Sequence, residues 1–394
     1  MTTAATSQPF KLSYGAFAFF LLAANLRPAL TSVGPLFETI RTSLGLSHAV
    51  AGLLPTLPLL IFAGLSLFAR NGEAFGIEKT LAWCLALVTA GIALRSEGSI
   101  AALFAGTAIF SAGIAVANVL MPSLIKRDYP NQVGGMTTAY VMVMTLTGAF
   151  ATGFAVPLAG RLDGGWRSSL AIWAVFAVLA LLVWLPQTRS KRTAAVASQL
   201  DSNAVTKPIW QSALAWQVTV FMGIQFLIYF VTIGWIPPYL ISLGVPAAET
   251  GWLLSLYQLV GFAVGVAAPP LLRYGRDQRL LAMTASLVTA LCILGLLVAP
   301  RVAALWLALC GASFGITFIL AFAFIGLRTT DFRRAASLSA MAQAAGYLIA
   351  AIGPAAFGWL HDLTAGWTVP MLSFAAVAAM QAVAGFGAGR LEHV

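Results

Sequence analysis

Apolar residues in this chain fall into long unbroken runs, without the spacing of an amphipathic surface helix or the alternation of a half-buried strand. Twelve runs can be marked, over 14–40, 48–69, 79–95, 100–125, 133–160, 167–186, 213–242, 249–272, 279–299, 302–328, 334–360 and 366–388. Most match or exceed the roughly 20 residues an α-helix needs to cross a hydrocarbon layer about 30 Å thick. They are too long, and lack the period-2 alternation, for the strands of a membrane barrel. The breaks are short and polar or rich in Gly and Pro, except the one from Gln187 to Gln211, which contains "QTRSKRTAAVASQLDSNAVTK". The pattern predicts an all-α membrane protein of twelve transmembrane helices: a six-helix half over 1–186, a linker over 187–212 and a second half over 213–394.

Composition agrees. Hydrophobic residues make up 60% of the chain and charged ones 9%, with a mean hydropathy of +0.90, whereas soluble domains carry roughly 25% charged residues. The stretch "AFAFFLLAANL" has features of a secretory signal, but the apolar run continues past it and the repeat described below needs it as helix one. The net charge of +10 does not mark a nucleic-acid binder, because of where the cations lie. The termini and even-numbered breaks hold 16 of the 22 Lys and Arg residues, the odd-numbered breaks hold Arg41, Arg95, Arg161, Arg167 and Arg301, and Arg27 stands apart. This bias directs both termini and the linker to the cytoplasm, in a multi-pass protein of the inner (plasma) membrane. Cys84, Cys292 and Cys310 all fall within runs, as packing residues rather than a disulfide or metal set. No cofactor is implied.

The two sets of six repeat each other. "SLGLSHAVAGLL" (43–54) aligns with "SLGVPAAETGWL" (242–253) at a shift of 199, and "DGGWRSSL" (163–170) with "TAGWTVPM" (364–371) at a shift of 201. Between them, "FARNGEAFGIEKT" (68–80) corresponds to "LLRYGRDQR" (271–279), each a short basic turn containing Gly. Matches in order at nearly constant shift indicate a duplicated unit. With an even number of helices per unit, the copies are parallel repeats about an axis along the membrane normal.

Two six-helix halves joined by a basic loop resemble the major facilitator superfamily over essentially the whole chain. The turns after helices two and eight are similar to that superfamily's loop motif in eroded form, with Glu73 in place of its Asp. The resemblance implies a gating role for Arg70, Glu73, Arg273, Arg276 and Arg279. At subfamily level, "LRPALTSVGPLFETIR" in helix one and "NVLMPSLIKRDYP" at the end of helix four resemble the cyanate and 2-nitroimidazole transporter group.

Polar groups within the membrane are functional candidates. Arg27 is the charge placed near the middle of a run; the acids from Glu38 to Glu392, and His48, His361 and His393, fall at run ends or in breaks. A guanidinium there, always protonated, needs a counter-charge or water. Its planar fork suits oxygen or nitrogen acceptors on a small anion or a planar polar molecule. Pro28 frees a backbone carbonyl and bends the helix, so bonding that carbonyl is the structural alternative for Arg27. No carboxylate or His relay for proton coupling is visible in the runs. The resemblance places helices one, four, seven and ten, with five, eight and eleven, on the cavity, adding Asn25, Asn118, Tyr140, Gln225, Tyr229, Gln258, Gln343 and Tyr347 as substrate-binding candidates. Each has interhelical hydrogen bonding as its alternative role.

Other chemistries lack support. "GASFG" (311–315) fits G-x-S-x-G but lies inside an apolar run with no triad partner. It and "GFAVG" (261–265) read as helix-packing GxxxG motifs. There is no P-loop for an ATP-driven pump. A nitrate/nitrite porter would carry arginines in helices two and eight, which are absent. The expectation is a secondary transporter, not an enzyme or channel, moving a cyanate-like anion by alternating access and acting as a monomer. The alternative on the same fold is export of a neutral 2-nitroimidazole-like heterocycle.

Overall fold

The computed structural model describes residues 14–68, 76–189, 208–267, 277–330 and 332–394. Among them lie twelve helices long and apolar enough to span a membrane: α1 Tyr14–Ser43, α2 His48–Leu65, α3 Ile77–Arg95, α4 Ile100–Ile125, α5 Gly135–Arg161, α6 Trp166–Arg189, α7 Ala213–Ser242, α8 Ala247–Ala267, α9 Arg279–Val298, α10 Pro300–Leu327, α11 Ser337–Thr364 and α12 Thr368–Ala388. The described residues contain no strand. Every apolar run of the sequence is one of these helices, with ends shifted by a few residues. Below, the near end of the bundle is the one where α1 begins and α12 finishes, and the far end is the opposite one.

The repeats are visible in backbone detail. Gly45 and Gly244, 199 positions apart, both follow a helix with positive φ (+64° and +88°), the left-handed turn that Gly adopts without a Cβ penalty. Seven positions on, Gly52 and Gly251 make matching close approaches. A Cβ at Gly52 would stand 2.8 Å from the Pro354 carbonyl oxygen of α11, and one at Gly251 would stand 2.8 Å from the Thr152 carbonyl oxygen of α5. These two crossings, α2 on α11 and α5 on α8, join the first six spans to the last six.

Hydrogen bonds join the two sets of six in the far half. Thr56 donates to the Ala351 carbonyl (3.2 Å), Ser255 to the Ala149 carbonyl (2.7 Å), and His48 meets Asp362 (2.8 Å). The far end is therefore closed in this structure. Small residues also set the crossing of α8 on α10, where a Cβ at Gly261 would come within 2.8 Å of the Gly311 carbonyl. That is the packing role read for both GxxxG stretches, and Ser313 of "GASFG" bonds Thr289 at 2.8 Å. The three cysteines are buried. α7 is sheathed by its neighbours along almost its whole length, from Leu214 to Leu240.

Candidate functional site

The site begins with a break in α1. Regular helix stops at Ala24, resumes for Pro28–Thr31, tightens to 3₁₀ over Gly34–Leu36 and becomes α again over Phe37–Ser43. Pro28 has no N–H for the Ala24 carbonyl and Pro35 none for that of Thr31. The chain compensates locally. Asn25 and Leu26 bond back three residues, to Leu22 and Ala23 (3.0 and 3.1 Å), and the Thr152 hydroxyl lies 3.4 Å from the Thr31 carbonyl.

Arg27 occupies the break, half-buried. Its guanidinium carbon lies 5.0 Å from the centre of the Tyr229 ring of α7, a cation–π contact of order 0.5–2 kcal/mol. Among the described residues no carboxylate is within ion-pair reach, and the guanidinium donates no hydrogen bond to a protein acceptor. The structural alternative, a bond from Arg27 to a carbonyl freed by Pro28, is not formed. On its backbone side Arg27 is crowded by α5, since a Cβ at Gly148 would approach the Arg27 Cβ to 3.1 Å.

Arg27 opens onto a cavity of about 440 Å³, a volume that includes the open space at its mouth. Asn118 of α4, Tyr229 and Phe226 of α7, Phe314 of α10 and Tyr347 of α11 line it. The aromatic rings are organised as walls. Phe226 and Tyr347 stack at 4.7 Å with 13° between planes, Tyr229 and Phe314 stack at 5.4 Å, and Phe62 meets Tyr347 edge-on at 5.5 Å. Beneath them a polar chain crosses between the halves. The Tyr229 hydroxyl is 3.5 Å from Gln258 Oε1, Gln258 Nε2 donates to the Thr152 hydroxyl (3.0 Å), and Thr152 and Thr31 both donate to the Gly148 carbonyl (2.9 Å each).

Of the sequence candidates, the structure thus gathers Arg27, Asn118, Tyr229 and Tyr347 around one cavity, with Gln258 attached through Tyr229. Tyr140 lies within electrostatic reach of Arg27 and packs edge-on against Phe19 (6.1 Å). Three candidates point elsewhere. Asn25 donates to the Leu21 and Phe176 carbonyls, securing the break against α6. Gln225 donates to the Phe314 carbonyl (3.2 Å) and accepts from Gln381 (2.7 Å). Gln343 donates to Ser339 one turn back on α11 (2.9 Å). Of the gating candidates, Arg70, Glu73, Arg273 and Arg276 lie outside the described residues. Arg279 pairs with Asp277 at 3.5 Å and lies over the Phe386 ring (5.5 Å).

A second arginine escaped the sequence reading, which placed Arg95 in a break. It is the last residue of α3 and fully enclosed. Its Nη1 donates to the Ala29 carbonyl in the broken part of α1 (2.6 Å), its plane lies over Phe110 (4.8 Å), and Nε and Nη2 have no protein partner. It borders a second cavity, beyond the first toward the far end, and Leu30 and Phe230 line both. The signal in the sequence was faint: an Arg ending an apolar run, four residues after a Gly. The close approach that buries it is a tertiary event, in which a Cβ at Gly91 would lie 2.6 Å from the Gly106 carbonyl of α4.

A cation facing an aromatic cavity between two bundles of six helices is the architecture of a membrane carrier, and comparison with known proteins agrees. Residues 14–354 match the Major Facilitator Superfamily model, and the chain belongs to that family: it is a multi-pass membrane transporter, not an enzyme. It is 44% identical over 376 residues to the 2-nitroimidazole transporter of Escherichia coli K12, covering 95% of each chain. It is 30% identical over 353 residues to the cyanate transport protein CynX of the same organism, covering 88% of this chain and 90% of that one. Among solved structures, a bacterial homologue of the lysosomal transporter Spinster superposes with a TM-score of 0.78 at 16% identity, covering 98% of both chains, a likeness of fold alone.

Proposed function

We propose that this transporter moves a flat, acceptor-bearing small molecule of the nitro-heterocycle type, held by Arg27 between the aromatic walls, by alternating access. The observation that carries the reading is a guanidinium without a protein acceptor, facing paired rings. The Arg27 fork gives directional bonds to nitro oxygens, while Tyr229, Phe314, Phe226 and Tyr347 supply faces for a planar ring. The identity with the 2-nitroimidazole transporter supports the same choice. A second reading, a small anion such as cyanate, is favoured by the lack of a carboxylate beside Arg27, which leaves the cargo to balance the charge. In either case residues 1–186 and 213–394 act as two rocking bodies. The near end faces the cytoplasm in the inner membrane, as the distribution of Lys and Arg implies.

Uptake by proteoliposomes, with labelled 2-nitroimidazole and cyanate run in parallel and in competition, tests this. Charge-assisted hydrogen bonds contribute about 1.5–3 kcal/mol, so Arg27→Ala is expected to lower transport of the true substrate by roughly ten- to hundred-fold. Arg27→Lys is expected to restore little, since a point charge does not reproduce the fork. Transport of both compounds at wild-type rate by Arg27→Ala would refute the role of Arg27.

A further inference from the structure

At the far end, outside the cavity, α2 and α11 bring together His48, His361 and Asp362, whose ligating atoms all lie within 4.8 Å of one another. Asp362 Oδ1 is 2.8 Å from His48 Nδ1 and 3.8 Å from His361 Nδ1. The His361 Nδ1 is enclosed and makes no hydrogen bond. The two imidazole ring centres lie 4.1 Å apart at a tilt of 45°, and the Trp367 ring lies 4.2 Å from that of His361. Asp362 Oδ2 accepts from the Ala49 N–H (2.7 Å), which fixes the carboxylate. The three side chains keep 18%, 14% and 30% of their surface exposed, so the cluster borders the far face, with His361 Nδ1 on its inner side. The neighbouring cation, Arg41, is turned to Glu38, with Nε at 3.0 Å.

We propose that these residues form a site for a borderline transition dication, with Zn²⁺ as the type case, that clamps the two halves at the far end and inhibits transport from that face. The donor set argues for the ion class. Two imidazole nitrogens and one carboxylate, with a fourth position left to water, suit Zn²⁺, whereas Ca²⁺ and Mg²⁺ favour all-oxygen shells. With metal–ligand bonds of about 2.0–2.1 Å, tetrahedral ligands stand about 3.4 Å apart. The 2.8 and 3.8 Å separations from Asp362 bracket that value, and no pair in the set is wider than 4.8 Å, so closing on an ion asks for adjustments of about an ångström. The Ala49 N–H on the second carboxylate oxygen is the kind of outer contact that orients metal ligands.

The effect on transport follows from where the ligands come from. His48 belongs to the first six spans, and His361 and Asp362 to the last six. Opening the far end must part α2 from α11 at Gly52 and Gly358, where a Cβ on the latter would meet the His48 carbonyl at 2.5 Å. An ion held from both sides binds the closed form and not the open one, and shifts the population toward the closed form by that difference. The clamp uses the alternating-access part of the proposed function; the binding site does not.

The test uses the full-length protein, stripped of metal and titrated with Zn²⁺ against a chromophoric chelator. One saturable Zn²⁺ per chain is expected, unaffected by excess Mg²⁺. Binding should weaken on the order of ten-fold or more in His48→Ala, Asp362→Asn and His361→Ala, with His361→Gln as the size-conserving check on folding. In proteoliposomes, Zn²⁺ on the far face should slow wild-type 2-nitroimidazole flux, reversibly with EDTA, and leave His361→Gln flux unchanged. No saturable binding, or wild-type affinity in all the variants, would overturn the site. Saturable binding with flux unaffected by Zn²⁺ would overturn the clamp. Absence of flux for every probe would count against the transport reading, while the titration still decides the site.

Discussion

α1 and α7 begin equivalent halves, yet they are built on opposite principles. α1 is broken twice and carries Arg27 in the first break. α7 runs unbroken from Ala213 to Ser242 with no charge, even though it contains Pro237 and Pro238. Position explains the tolerance: those prolines sit in the last turns, where lost bonds fall near the helix end, whereas Pro28 and Pro35 lie within the span. The pair divides the work. α1 presents the charge on a backbone that needs support from its neighbours, and α7 presents Tyr229 and Phe226 on a rigid rod. The proposed site is thus asymmetric although the fold is duplicated.

The largest expected effect comes from erasing that difference. Pro28→Ala restores an N–H to the Ala24 carbonyl and lets α1 continue as a helix, carrying Arg27 away from Tyr229. Transport should fall on the order of a hundred-fold, as for ångström-scale misplacement of a reacting group, while thermal stability holds or rises. Unchanged transport would mean that the break does not set the position of Arg27.

Arg95 sharpens the comparison next: it ties α1 to α3 from the neighbouring helix, whereas α7 makes its own tie to α9, Tyr239 donating to the Leu296 carbonyl (2.9 Å). A fully buried guanidinium with two nitrogens unpartnered is costly to keep. Replacing such a charge by an apolar residue of similar volume is neutral or stabilising by about 1–4 kcal/mol. Arg95→Met is therefore expected to melt no lower than wild type yet to transport several-fold more slowly. The broken segment of α1 would lose its tie to α3. A large drop in melting temperature would show instead that Arg95 chiefly holds the bundle together.

On the α7 side, Tyr229→Leu removes the ring beneath Arg27. The cation–π contact of about 0.5–2 kcal/mol corresponds to a roughly two- to thirty-fold rise in KM. Tyr229→Phe should keep most of that affinity, since the hydroxyl is at the limit of bonding to Gln258. Equal losses in the two variants would move the interaction from the ring to the hydroxyl.

How much of this was legible beforehand follows from the same contrast. The fold could be read because a membrane helix must declare itself as about 20 apolar residues, and all twelve did. Arg27 was legible for the complementary reason, as a charge inside such a run. Asn118, Tyr229 and Tyr347 could be chosen as polar groups on the expected helices. Asn25, Gln225 and Gln343 met the same criterion, and the structure turns them to neighbouring backbone or side chains. Phe226 and Phe314 carried no signal, because in a helix apolar on every side a Phe facing the cavity and one facing lipid look alike. Arg95 and the His48–Asp362 pair, 314 positions apart, depend on how helix ends meet, which periodicity does not encode.

The smallest prediction returns to the repeat itself. Gly164 and Ala365, 201 positions apart in the matched stretches, both hold positive φ (+96° and +50°). A side chain in that region costs roughly 1–2 kcal/mol, so Ala365→Gly should stabilise the chain, less the extra entropy Gly brings to the unfolded state. The mirror change is not symmetric. At Gly164 a Cβ would also meet the Ser168 hydroxyl at 2.6 Å, so Gly164→Ala should destabilise by more than Ala365→Gly gains. Thermal unfolding of the two variants beside wild type measures both. Equal and opposite shifts would mean that the backbone angle alone sets the cost, and that the surroundings of the two turns have not diverged.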